Sequence, residues 1–327
     1  MARHRFHHLV VEARTSLAAD PVARLLAPLP LAPMEAPVDL RLETRAASGA
    51  ELSPHLPGAP AFVFGDLELR LGGGAVELCW PGARFTVDAL PLPRAVGLVD
   101  PAALASPADL HAMAQVPALF AFAAALRTRG VYHLHAACLV LAGERTVLIP
   151  ALAGSGKSTL AASLVAAGAE FLGDDTVFLA RRDGVARLLA LPREFHLAEA
   201  SARAVGLEGR LEAGHPSLAG KRRLDAAAAF PGQFRWDGPA PAVILLPRIT
   251  GQAESRLEPA GPAEALGLLL ESSALVATRG LPGGDGHLPL LGALADGARV
   301  LHAELGLDLL ADGAAVARRL VSELADA

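Results

Sequence analysis

The chain has 327 residues, 52% of them hydrophobic and 19% charged, enough apolar mass for one large or two ordinary globular domains. Its 29 basic and 34 acidic residues nearly cancel to a net charge of −5 with no block of like charge, which argues against a nucleic-acid partner or a membrane surface. Two cysteines, Cys79 and Cys138, lie among apolar neighbours without metal-site or disulfide spacing, and the basic start is followed by too short an apolar run for a signal-peptide core. A reducing cytoplasm fits best.

Residues 1 to about 85 read as mostly β, with extended runs at 6–12, 61–64, 67–71, 75–80 and 85–87. The alternation Leu67-Glu68-Leu69-Arg70-Leu71, followed by Gly72-Gly73-Gly74 and Val76-Glu77-Leu78, predicts a hairpin. Prolines 91, 93, 101 and 107 predict an irregular connection from 90 to 109, after which Ser106-Pro107-Ala108-Asp109 opens a helix toward Arg127. The apolar stretch 116–126 within it falls short of the ~20 residues that span a bilayer and predicts a buried helix. This divides the chain into a β-rich N-terminal region with linker and helix, 1–130, and a second domain, 131–327.

From there the pattern predicts one strand over 133–141, a turn, and a second strand ending at Pro150. Next comes Ala151-Leu152-Ala153-Gly154-Ser155-Gly156-Lys157-Ser158-Thr159, then a helical run stopped by Gly168. Strand, glycine-rich turn and helix in that order are the context of a phosphate-binding loop: backbone N–H groups turn inward on anionic oxygens and the helix N-terminus adds positive potential. In such a loop Lys157 would reach the β and γ phosphates of ATP and Ser158 would hold Mg²⁺, with Ala151 standing where the usual pattern has its first glycine.

A strand over 169–173 delivers Asp174-Asp175. Phosphoryl transfer needs one carboxylate near the metal and one group that orients or deprotonates the acceptor hydroxyl. On an extended segment adjacent side chains point to opposite sides, so only one of the two acids is expected to face the γ-phosphate. Beyond lie a hairpin over 176–191, a strand at 243–246, and helices at 262–271 and 312–324, the last with Val316, Leu320 and Leu324 on one face.

His135, the strand–turn–strand leading into Gly154-Ser155-Gly156-Lys157-Ser158, Gly168, and acids seventeen and eighteen residues beyond the lysine (174 − 157 and 175 − 157) resemble the HPr kinase/phosphorylase superfamily with its HPr-kinase-like serine kinases. The resemblance covers roughly residues 131–197. It implies an α/β fold with a P-loop core of the HPr-kinase/PEP-carboxykinase-like type, and an ATP- and Mg²⁺-dependent serine or threonine kinase acting on a small protein or peptide. It further implies Asp175 as general base, Asp174 beside the metal, His135 near the phosphates, Glu194 as a later Mg²⁺ ligand, and a possible homo-oligomer. His135 reads equally as a core or edge-strand histidine sharing a face with His133.

The segment by which such kinases capture HPr is not recognisable, so the acceptor is left as a small protein or peptide. Lys221-Arg222-Arg223 reads either as a solvated basic run or as a means of neutralising phosphate or steering an acidic peptide; Arg193 and Arg248, each beside a proline, point to nucleotide or to water. Two rival readings stay open. One is a small-molecule kinase with Arg203, Arg210, Arg222 and Arg223 in a lid, and the other is a non-catalytic ATP-binding module.

Overall fold

The computed structural model describes residues 1–89, 91–191, 194–211, 221–273 and 281–325. The fold is mixed α/β and divides into two compact units, Met1–Tyr132 with Leu275–Asp285, and His133–Ala274 with Gly286–Ala327.

The first unit contains β1 (Ala2–Phe6), β2 (Leu9–Thr15), α1 (Pro21–Leu26), β3 (Leu40–Ala46), β4 (Phe62–Phe64), β5 (Leu67–Gly72), β6 (Ala75–Trp80), β7 (Ala83–Asp88) and β8 (Arg94–Val99). The strands form one sheet in the order β1-β2-β3-β8-β7-β6-β5-β4. β3 runs parallel to both β2 and β8, and the other pairs are antiparallel. The hairpin expected around Gly72-Gly73-Gly74 is β5–β6.

Two expectations change here. The run 6–12 is not one strand but the β1–β2 hairpin, turned at His7 with φ 55°. The stretch 90–109 holds β8: Pro91 and Pro93 precede the strand and Pro101 and Pro107 follow it, where a missing N–H costs no ladder bond, and the Pro93 carbonyl accepts from Arg41 N–H at 2.9 Å.

The apolar face of the sheet, with Phe6, Val11, Leu40, Leu42, Leu78 and Phe85 buried, packs with α2 (Pro107–Met113), a π-helical turn Ala114–Ala118 and α3 (Leu119–Arg127). Ser106 and Asp109 form a reciprocal capping box at the start of α2. Pro117 lacks the N–H that would continue the α pattern, which accounts for the wide turn in mid-helix. By length and composition alone, Pro107–Arg127 could cross a bilayer; 78% of its apolar window is buried in the fold, Phe122 lying edge-on to Phe6 at 5.3 Å. The 11-residue apolar stretch thus understates the helix that contains it.

β9 (Val131–Leu134) spans the division between the units. Beyond it follow β10 (Ala136–Leu141), β11 (Arg145–Pro150), α4 (Lys157–Ala166), β12 (Glu170–Gly173), β13 (Val177–Arg182), β14 (Val185–Ala190), β15 (Phe195–Leu197) and α5 (Glu199–Ala204). The chain continues with β16 (Arg222–Leu224), α6 (Ala226–Ala229), β17 (Asp237–Pro239), β18 (Val243–Ile249), β19 (Arg256–Pro259), α7 (Pro262–Glu271), α8 (His287–Gly297), β20 (Arg299–Leu305), α9 (Asp308–Ala311) and α10 (Gly313–Ala325).

Among the described residues these strands form three sheets, ordered β12-β10-β11-β18-β20-β19, β17-β14-β13-β9 and β15-β16. The strand expected over 133–141 is therefore two strands in two sheets, broken at His135, whose N–H donates to the Ser272 carbonyl at 2.8 Å. Within the six-stranded sheet β11, β18 and β20 are parallel, and β12 runs with β11 because each is antiparallel to β10. Their carboxyl ends share one edge, the side of an α/β sheet on which ligands bind. α4 lies over this sheet: Leu160, Ala161, Leu164 and Val165 are fully buried against Ile149, Leu245, Leu305 and the α10 residues Val316 and Leu320.

Candidate functional site

β11 ends at Pro150 and the chain turns through 151–156 into α4. Gly154 and Gly156 have φ of 86° and 91°, the left-handed region that glycine enters without strain. Gly156 also has no room for a side chain, since a Cβ there would lie 2.5 Å from Leu305 Cδ1. Ala151 keeps a negative φ and is buried, so the position at which the loop departs from the usual glycine does not need glycine's freedom. Leu152, Ala153 and Gly154 are exposed, whereas Lys157 and Ser158 in the first turn of α4 are buried. The Thr159 hydroxyl is 2.8 Å from that of Ser201, which makes it a link between α4 and α5.

Asp174 and Asp175 follow β12 on the same edge. Thr176 N–H donates to the Asp174 carbonyl at 2.9 Å, closing a three-residue turn whose central residue, Asp175, has φ 92°. Positive φ at the centre of so tight a turn is a rare, strained form, and strain of this kind gathers at functional sites. Gly173 makes the turn possible, because a Cβ there would stand 2.8 Å from the Thr176 carbonyl.

The turn corrects the expectation that the two acids diverge. Lys157 Nζ donates to Asp174 Oδ1 at 2.8 Å and also to Asp175 Oδ1, so one ammonium bridges both carboxylates. Bent backbone, not an extended strand, brings them together.

Asp175 is engaged on every side. Its N–H donates to the Ala136 carbonyl at 3.1 Å, and its own carbonyl lies 3.0 Å from His135 Nδ1. His135 Nε2 is 3.8 Å from Oδ1, and His196 Nδ1 is 3.5 Å from Oδ2. Burial opposes ionisation of Asp175, yet Lys157 and the two histidines outweigh it and hold the carboxyl well below its usual range. For Lys157, burial disfavours the charge and the two aspartates overcome it, lifting the ammonium to about 12. Burial and the nearby ammonium lower His135, leaving it neutral at pH 7.

Mg²⁺ prefers hard oxygen donors. Asp174 is fully buried and its Oδ2 has no hydrogen-bond partner among the described residues, the kind of orphaned carboxylate oxygen that suits a cation. Ser158 lies in the turn of α4 that follows Lys157. Glu194 sits apart from that pair in its contacts: Oε1 accepts from Arg223 at 3.1 Å, and one of its oxygens is within 4.8 Å of a His196 nitrogen.

Three of the remaining basic candidates are tied locally. Arg222 donates to the Leu211 carbonyl at 2.7 Å, Arg210 to the Ala228 and Ala229 carbonyls, and Arg248 to Glu304. Arg203 is exposed on α5, and Arg193 lies outside the described residues. His133 leaves the strand face once shared with His135 and packs edge-on to Phe178, its Nε2 3.4 Å from the Thr176 hydroxyl.

His196 is the residue that sequence reasoning missed. The signal was faint but present: in Phe195-His196-Leu197 the flanking residues are core, so strand alternation alone turns the histidine to the other face.

No family model matches the chain, and no curated protein matches it. Among solved structures it is similar to the HPr(Ser) kinase/phosphatase from Coxiella burnetii, with 14% identity and a TM-score of 0.29 over 58% of this chain and 98% of that one. A likeness of that size is too slight to bear on activity.

Proposed function

We propose that the second unit binds Mg-ATP on residues 151–159 and transfers the γ-phosphoryl group to a serine or threonine hydroxyl of a small protein or peptide. The observation that carries this reading is Lys157 Nζ bridging Asp174 and Asp175 at the end of a glycine loop that contains two left-handed residues.

The arrangement is that of a lysine parked on carboxylates until phosphate arrives. When the β and γ phosphates enter the loop, Lys157 moves to them and uncovers Asp175 Oδ1. With its strongest cationic neighbour withdrawn, the Asp175 carboxylate becomes more basic and accepts the proton of the acceptor hydroxyl. The hydroxyl oxygen bonds to γ-phosphorus as the bond from phosphorus to the β–γ bridging oxygen breaks, and ADP departs. Asp174 and Ser158 would hold Mg²⁺, which would supply charge neutralisation on the phosphates; Glu194, held by Arg223, would have to turn from that partner to serve as a further ligand. His196 keeps hold of Oδ2 throughout, so the carboxylate does not swing when Lys157 leaves.

Arg210, Arg222 and Arg223 are anchored to carbonyls and to Glu194, which does not favour a mobile lid over a small metabolite. The test is transfer from γ-labelled Mg-ATP to a library of serine- and threonine-containing peptides. Label should reach peptide with the wild type and fall by about 10²–10⁴-fold with Asp175→Asn. Undiminished transfer by the variant would remove Asp175 from the chemistry.

A further inference from the structure

The polar face of the first unit's sheet carries a feature that the nucleotide site does not explain. Alternation along β2, β3 and β8 turns Glu12 and Arg14, then Arg41, Glu43 and Arg45, then Arg94, to the side away from the apolar core. Arg14, Glu43, Arg45 and Arg94, with the hydroxyl residues Ser16 and Thr44, line an open depression of about 380 Å³.

Its charge is lopsided. Three arginines meet one glutamate on the lining, and the buried carboxylate beneath, Glu12, is already divided among Arg3, Arg14 and Arg41 at 3.2, 2.9 and 2.7 Å. Arg94 shares Glu43 with Arg41, at 2.5 and 3.9 Å, and Arg45 holds the exposed Glu51 at 3.3 Å. Side chains of Arg14, Arg45 and Arg94 are 46%, 58% and 47% exposed, so a ligand can reach them alongside their present partners. On a chain of net charge −5, a local cationic surplus runs against the overall balance.

We propose that this depression binds an acidic segment of a peptide or protein partner. Planar guanidinium forks match carboxylates in pairs. The three arginines come from three neighbouring strands about 4.8 Å apart, and an extended peptide repeats side chains on one face about every 6.8 Å, within the reach of arginine. Glu43 in the middle, and Asp88 in register beside Arg94, would repel a continuous phosphate backbone but can be stepped over by separate carboxylates. The proposal does not depend on the nucleotide reading of the second unit.

The test is fluorescence anisotropy of the full chain at low salt with a dye-labelled peptide of alternating Glu and Ser, against a Lys-and-Ser peptide and inorganic phosphate as competitor. The acidic peptide should bind, weaken with salt, and lose about tenfold or more in affinity with Arg45→Ala plus Arg94→Ala. Arg235→Ala, which removes a cation of the second unit held by Glu144 and Glu170, should leave binding unchanged. Both substitutions in the depression are at exposed side chains, and a far-ultraviolet spectrum checks that the sheet survives. Absence of acidic-peptide binding, equal binding of the basic peptide, full competition by millimolar phosphate, or affinity unmoved by the double variant would each overturn the proposal.

Discussion

Glu12 and Lys157 are mirror images. In the first unit one buried carboxylate is shared by three arginines, and in the second one buried ammonium is shared by two aspartates. The settings differ in what holds the partners. Around Glu12 the arginines stand on regular strands in register, with side chains 17–46% exposed, so each resolvates readily if the carboxylate is lost. Around Lys157 the aspartates are fixed on a strained turn, Asp174 completely buried, and the lysine lies at the end of the glycine loop proposed to receive phosphate. The first cluster staples a sheet and leaves cationic charge to spare; the second, on the proposed function, would open when phosphate competes for the lysine.

Stability separates the two most strongly. Lys157→Met should cost about 3–5 kcal/mol in denaturant unfolding, because two carboxylates remain without their buried cation. Glu12→Gln should cost less, about 1–2 kcal/mol, and should leave ATP affinity untouched. Equal losses would mean that exposure of the arginines does not relieve their unpairing.

A smaller effect tests the histidine. His196→Gln should lower the maximal transfer rate about tenfold while the KM for ATP holds, since the side chain would orient Asp175 and not touch nucleotide. A matched rise in KM would place His196 against the substrate instead.

The smallest effect is in the pH dependence of stability. Asp175 and Glu12 both titrate below their unfolded values of 3.8 and 4.5, so their contribution is complete above about pH 5 and lost as the pH falls through the folded values. Lys157 works in the opposite sense: raised from 10.5 to about 12, it contributes fully below the first value and is lost as the pH climbs through the second. Asp175→Asn should flatten the acid limb, and Glu12→Gln should flatten it independently; an unchanged limb in both would contradict the ion pairing described.

Much of this was legible in the chain. The glycine loop lies between β11 and α4, where the strand–turn–helix pattern put it, and helix 262–271, the hairpin at Gly72-Gly73-Gly74 and the capping box at Ser106 follow from local chemistry. Backbone events with no compositional mark were not legible. The break at His135 falls inside an apolar run, and the break divides the run between two sheets. Positive φ at Asp175 cannot be read from an aspartate, yet it decides that both acids reach one lysine. β8 was hidden because prolines that merely precede a strand look like prolines that prevent one. The arginine depression needed the sheet order, since β2, β3 and β8 are adjacent in space but far apart in sequence.

The central claim is that Lys157 passes from the aspartates to phosphate. Calorimetric titration of Mg-ATP into the wild type, Lys157→Met and Asp175→Asn tests it most directly. Affinity should fall about tenfold or more with Lys157→Met and hold or rise with Asp175→Asn, because the lysine is then freed from a competitor. Equal affinity in the wild type and Lys157→Met, or a loss with Asp175→Asn as large as that with Lys157→Met, would contradict the account.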